Sequence, residues 1–231
     1  MENLKIKSLT NYHNLPKEKI TGAEAVVRCL IAEGVDIIYG YPGGAIMPVY
    51  DEFYKYHKEI YHVLTRHEQG ATHAAQGYAR ISGKVGVAIA TSGPGATNLI
   101  TGIADAQIDS TPMVCITGQV PSHLLGSDAF QETDIVGIST PVTKWNHQIT
   151  RAEEIPEVIA KAFFIARSGR PGPVLIDITK DAQFETFDFT YQKCNVVRSY
   201  KPVPKLQQNQ LQAAAESVSY THLRAHETLS Y

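Results

Sequence analysis

Cysteine, tryptophan and any surplus of one charge are scarce in this sequence. The chain of 231 residues has three cysteines and one tryptophan. Cys29, Cys115 and Cys194 lie far apart, and none forms the Cys-x-x-Cys pair of a zinc or redox motif. Cys29 and Cys115 sit in apolar runs, which predicts buried free thiols and excludes a disulfide framework. The 21 Lys and Arg are offset by 23 Asp and Glu, for a net charge of -2, and no basic run stands out. That balance argues against a nucleic-acid partner. No stretch reaches the roughly 20 apolar residues needed to span a bilayer, so no membrane partner is expected either. Residues 1–19 mix Lys, Glu, Asn and His without the apolar centre of a secretory signal. The expected location is the cytoplasm. His62, His67 and His73 lack the cysteine or acidic company of a metal site, and none is expected there.

What the chain does have is alternation. Short apolar segments at 36–40, 61–64, 85–90, 113–117 and 174–178 read as strands, and another begins at 142–143. Between them run helical patterns. One starts at the capping-box sequence Thr21-Gly22-Ala23-Glu24 and runs to Gly34. Others cover 48–56, 68–82 with Gly83 as stop, 96–107, and 153–167 ending at Gly169. Strands alternating with helices imply parallel pairing through right-handed crossovers. Strands apolar throughout imply a sheet covered on both faces. The expected fold over 20–187 is therefore α/β, a doubly wound, mostly parallel six-stranded sheet with helices on both faces. Residues 188–216 read as an extended linker around Lys201-Pro202-Val203-Pro204 and the truncated start of a further domain.

Ligands of such sheets bind beyond the carboxyl ends of the strands. Tyr41-Pro42-Gly43-Gly44 follows the first strand, and its glycines permit close approach to a ligand or simply an ordinary turn. Arg66-His67-Glu68 follows the second. At a helix N-terminus the dipole favours a carboxylate and burial favours the acid, so Glu68 is either a proton-exchanging group or a plain dipole partner. Thr91-Ser92-Gly93-Pro94-Gly95 opens a helix, but without lysine and with the wrong spacing it is neither a nucleotide-phosphate loop nor a dinucleotide fingerprint. Phe130-Gln131 lies in a polar loop. Asp177 and Lys180 lie near the end of the last strand, where the plainest reading is a solvated ion pair.

Six segments together resemble the large, catalytic subunit of the acetolactate (acetohydroxyacid) synthase family of thiamine-diphosphate enzymes. They are GYPGGAIMPVYD (40–51), RHEQGATHAAQGYAR (66–80), ATSGPGATNLITGIADA (90–106), GQVP (118–121), GSDAFQETDIVGI (126–138) and GRPGPVLIDITKD (169–181). The resemblance covers about 20–186. It implies the pyrimidine-binding domain of an enzyme that decarboxylates pyruvate and joins the remainder to a second 2-oxo acid, pyruvate or 2-oxobutyrate, in branched-chain amino-acid biosynthesis.

By the same resemblance Glu68 exchanges a proton with the pyrimidine N1′, and Tyr41, Pro94 and Asn98 surround that ring. Gly43 and Gly44 lie near the reacting centre. Phe130 is an apolar wall, Gln131 a donor to substrate oxygen, and Lys180 stands near the substrate channel. Arg170 contacts FAD. The diphosphate and Mg2+ are held by a different domain, on a partner subunit, so a homodimer or tetramer is implied, with a regulatory small subunit as a further partner.

Other thiamine enzymes, such as pyruvate oxidase or glyoxylate carboligase, and a non-catalytic α/β binding module are the competing readings. The Phe130-Gln131 pair argues against the first group. The chain alone is expected to be inactive, since half of the cofactor site lies elsewhere. Thr179 and Gln76 depart from the family's usual proline and glutamate. Residues 217–231 match nothing in it and are expected to be a non-native, disordered tail. The absence of a transit peptide favours a bacterial source.

Overall fold

The computed structural model describes residues 18–203 and 206–220. The strands are β1 (Glu18–Thr21), β2 (Ile37–Gly40), β3 (Tyr61–Leu64), β4 (Gly86–Ala90), β5 (Met113–Gln119), β6 (Trp145–Ile149), β7 (Pro173–Thr179) and β8 (Thr186–Phe189). The helices are α1 (Gly22–Ala32), α2 (Met47–Lys55), α3 (Glu68–Ser82), α4 (Pro94–Asn98), α5 (Ile100–Ile108), α6 (Ile135–Ser139), α7 (Ile155–Arg167), α8 (Lys180–Phe184) and α9 (Gln208–Tyr220).

Six strands form one parallel sheet in the order β3-β2-β4-β5-β7-β6, as the alternation predicts. Successive side chains of a strand point to opposite faces, and two separate cores result. Val87 and Ile89, Val114 and Ile116, and Val174, Ile176 and Ile178 pack against α1, α2 and α7. Ala88, Ala90, Met113, Cys115 and Leu175 face α3, α5 and Ile135 of α6. On β4 this second face carries only Gly86 and alanines, and α3 lies close to it: a Cβ on Gly86 would fall 2.2 Å from the Ala75 carbonyl oxygen. Cys29 and Cys115 are buried free thiols, and burial pushes both well above the ordinary thiol range. Among the described residues, no helix is long and apolar enough to cross a membrane.

Thr21 caps α1, its hydroxyl accepting from the Glu24 N–H at 3.2 Å. The Glu24 carboxylate accepts from the Tyr56 hydroxyl at 2.8 Å and so joins α1 to the end of α2. Gly83 ends α3 with φ of 71°. At Gln76 the amide donates to the Gly102 carbonyl at 2.8 Å and to the Asp105 carboxylate at 3.0 Å. An ionised glutamate there could donate to neither.

Several boundaries differ from expectation. The strand expected from 142 starts at Trp145, because 140–142 form a 3₁₀ turn. The helix expected over 96–107 is divided at Leu99 into α4 and α5. The pattern also missed an antiparallel pair, β1 with β8. Glu18 and Lys19, expected to belong to an N-terminal lead, open β1, and the rest of that lead is outside the described residues. α9 continues through Tyr220, past the boundary expected at 216. The remainder of the expected tail is outside the described residues.

The α3–α5 contact is tight. A Cβ on Gly102 would fall 2.0 Å from the Thr72 hydroxyl oxygen. Gly102→Ala should therefore destabilise the fold by about 1–3 kcal/mol, read from urea denaturation, and Thr72→Ala in the same chain should recover part of the loss.

Candidate active site

The sheet order reverses between β2 and β4. From β2 the chain moves outward to β3, then returns across the opposite face to β4. This is the switch point at which open α/β sheets bind ligands. The loop after β2 crosses the carboxyl ends of its neighbours. The Ala45 N–H donates to the Thr91 hydroxyl at 3.2 Å, just beyond β4. The Ala45 carbonyl accepts from the Gln183 amide of α8 at 2.8 Å, beyond β7. Gly43 makes this crossing possible, since a Cβ there would lie 2.5 Å from the Thr91 side chain. Thr91 stood in the sequence only as the first residue of the 91–95 turn, with no role of its own, although its position directly after an all-apolar strand is a usable signal.

Glu68 is the first residue of α3, and His67 caps that helix through Nδ1, which accepts from the Gln69 N–H at 3.1 Å. His67 is thus a structural residue. Glu68 is 8 % exposed. Its Oε2 accepts from the Asn98 amide of α4 at 3.0 Å. A Cβ on Gly95 would lie 3.3 Å from Oε1, so the turn at 93–95 presses closely on the carboxyl. Sequence spacing separates Glu68 from Asn98 by 30 residues, and the fold joins them. One oxygen is fixed and the other is left to meet a ligand, an arrangement suited to exchanging a proton with a nitrogen base.

Tyr50 of α2 was not anticipated. Its hydroxyl is buried without a hydrogen-bond partner, and a Cβ on Gly40 would lie 2.6 Å from it. Burial, with the negative field of Glu68, pushes this phenol up from the tyrosine range. His62 packs edge-on against the Tyr50 ring at 5.0 Å, and burial lowers its pKa, so it stays neutral.

Tyr41, Gly43, Gly44, Glu68, Pro94 and Asn98 therefore gather around the β2/β4 ends. The Phe130-Gln131 loop reaches the same place. Gly93, with φ of 56°, packs so closely that a Cβ would fall 2.6 Å from the Gln131 carbonyl oxygen. The Phe130 ring is 88 % exposed, an apolar face that nothing in this chain covers among the described residues. Lys180 opens α8 on the same edge, beyond β7.

Arg170 is not with them. It precedes β7, at the opposite edge of the sheet. Its guanidinium donates to the Ser110 hydroxyl at 2.7 Å and to the Ile108 carbonyl at 3.0 Å, closing the end of α5.

The solvated ion pair read at Asp177 and Lys180 is corrected. Asp177 is wholly buried, and its oxygens accept from the Thr117 hydroxyl at 2.7 Å, the Gln148 amide at 2.9 Å and the Gln119 amide at 3.1 Å. Burial pushes its carboxyl up to about 6, against those three donors, which pull it down.

With this geometry in hand, the family described as thiamine pyrophosphate enzyme, N-terminal TPP binding domain, matches residues 20–138, just over half of the chain. The chain belongs to this thiamine pyrophosphate enzyme family. Three relatives are similar over most of its length. The acetolactate synthase large subunit of Corynebacterium glutamicum is 55% identical over 201 residues, 87% of this chain and 32% of that protein. The acetolactate synthase large subunit of Buchnera aphidicola is 52% identical over 199 residues, 85% of this chain and 35% of that protein. The acetolactate synthase of Arthrospira platensis is 50% identical over 206 residues, 87% of this chain and 36% of that protein. The chain thus spans about a third of the length of these relatives.

Asp177 yields a direct expectation. Its pKa is raised on folding, so its contribution to stability is full below about pH 4 and is lost as pH rises through about 6. Its carboxyl carbon resonance should titrate near pH 6, and a midpoint near 4 would show the carboxyl to be solvated.

Proposed function

We propose that this chain is the pyrimidine-binding part (20–187) of an acetolactate synthase large subunit, which decarboxylates pyruvate and joins the product to pyruvate or 2-oxobutyrate. The observation that carries this reading is the Glu68 carboxyl, buried at the sheet's switch point with one oxygen held by Asn98. The relatives' names support the choice of reaction.

The residues present suit the pyrimidine half of thiamine diphosphate. Gly95 leaves no side chain over Oε1, and the space where a Gly44 Cβ would point is open for 4 Å. When bound, the cofactor supplies the carbanion chemistry, and the protein supplies placement and proton transfer. Glu68 Oε1 gives and takes the proton at N1′ while Asn98 keeps Oε2 in place. Burial keeps water from competing for that proton. Tyr41 and Pro94 border the ring. Gln131 donates to a substrate oxygen, and Phe130 walls the site against water once another surface covers it. Lys180 draws the carboxylate of the incoming 2-oxo acid to the edge.

Arg170, on the far edge, belongs on this reading to a separate FAD contact. The diphosphate and its Mg2+ fall to a domain beyond this chain, supplied by a partner subunit of a homodimer or tetramer. A regulatory small subunit, a role in branched-chain amino-acid biosynthesis and a cytoplasmic location complete the reading.

In the complete enzyme, Glu68→Gln should slow C2–H exchange of bound thiamine diphosphate by roughly 10²–10⁴-fold. An unchanged exchange rate, followed by proton NMR, would refute the role. Gln131→His should shift product from acetolactate towards acetaldehyde, because an imidazole can supply the proton that an amide withholds. A product assay with no shift would count against Gln131.

A further inference from the structure

The mechanism above leaves the most deeply buried carboxyl of the sheet unused. Asp177 is linked to the site by a single side chain. Gln119, the last residue of β5, donates its amide both to Asp177 at 3.1 Å and to the Thr133 carbonyl at 2.9 Å. Its amide oxygen accepts from the Val120 N–H at 2.9 Å. The amide has one permitted orientation. Flipped, its oxygen would face a carboxylate and a carbonyl, and its NH2 would face an N–H. Asp177 thereby fixes Gln119, and Gln119 fixes Thr133.

Thr133 lies two residues from Gln131 in a loop that needs such support. Asp128 and Gln131 hold φ of 56° and 59°, where residues with a Cβ are uncommon and are held by their surroundings. The Glu132 carboxylate gathers the loop by accepting from the N–H groups of Gly126 and Ala129. Those bonds shape the loop without attaching it. Among the described residues, two attachments tie this stretch to the domain: Gly93 packs on the Gln131 backbone itself, and Gln119 bonds Thr133 two residues further on. The Gln131 side chain itself is exposed. Where its amide can reach is set by backbone that Gln119 holds.

The geometry points to Asp177 and Gln119 as positioning residues for substrate: through Thr133 they hold the 126–134 loop so that the Gln131 amide meets the 2-oxo acid. This rests on the substrate role proposed for Gln131.

The test uses the complete enzyme and compares Gln119→Met, Gln131→Ala and the double variant. Gln119→Met should raise KM for pyruvate on the order of 10-fold. It should leave C2–H exchange at the wild-type rate, because Glu68 and Asn98 are untouched. In the Gln131→Ala background it should add no further penalty, since the residue it acts through is gone. An unchanged KM, a collapse of C2–H exchange, or an equal penalty in both backgrounds would overturn the proposal. If Gln131→Ala itself alters neither KM nor product ratio, the substrate role of Gln131 has failed instead. Amide exchange at 126–132 then decides: faster exchange in Gln119→Met supports loop positioning by Gln119, and unchanged exchange overturns it. Should Gln119→Met not fold, Gln119→Leu, which likewise removes the donor to Thr133 and Asp177, is read by the same measurements.

Discussion

The candidate site depends on how closely two loops approach each other at the ends of β2 and β4. Thr91 stands between them. Its hydroxyl accepts the Ala45 N–H, and its side chain occupies the space that a Cβ on Gly43 would need. A larger residue at either position would separate the loops. The 41–46 segment would then lose its path across the sheet, and the 93–95 turn would lose its seat against Glu68. The Glu68 carboxyl is shielded because the backbone around it packs closely, and Asn98 holds one of its oxygens.

Most of the sheet was legible because its central strands are buried on both faces. Val87 to Ala90 and Val114 to Ile116 contain no polar residue that would allow another reading. Legibility fell away at the edges. β6 carries Asn146, His147 and Gln148 and, among the described residues, pairs with one strand, β7, so its apolar signal is weak. β1 and β8 have four residues each, and the helix-capping sequence at Thr21 masked the strand that ends there.

The site was only partly readable. Each loop could be marked as lying at a strand end, but the Glu68–Asn98 bond joins residues 30 positions apart, and residue order does not encode that meeting. The roles of Glu68 and Gln131 entered through the resemblance. Asp177 was misread because an acidic residue three positions before a lysine looks like an exposed pair, whereas strand alternation turns it into the interior, where three neutral donors meet it. Tyr50 looked like one more aromatic on an amphipathic helix, and its position beneath Gly40 follows only from the packing of α2 on the sheet.

The small antiparallel ladder joins the beginning of the domain to its end, with Glu18 opposite Phe189 and Thr21 opposite Thr186. The first and last strands of this unit therefore hold each other, and residues 190–203 run on past them along α1 and α7, where the Tyr191 hydroxyl donates to Glu33 at 2.5 Å and the Tyr200 hydroxyl to the Ser168 carbonyl at 2.8 Å. A clasp of this kind resists fraying, because peeling the last strand away also unpairs the first.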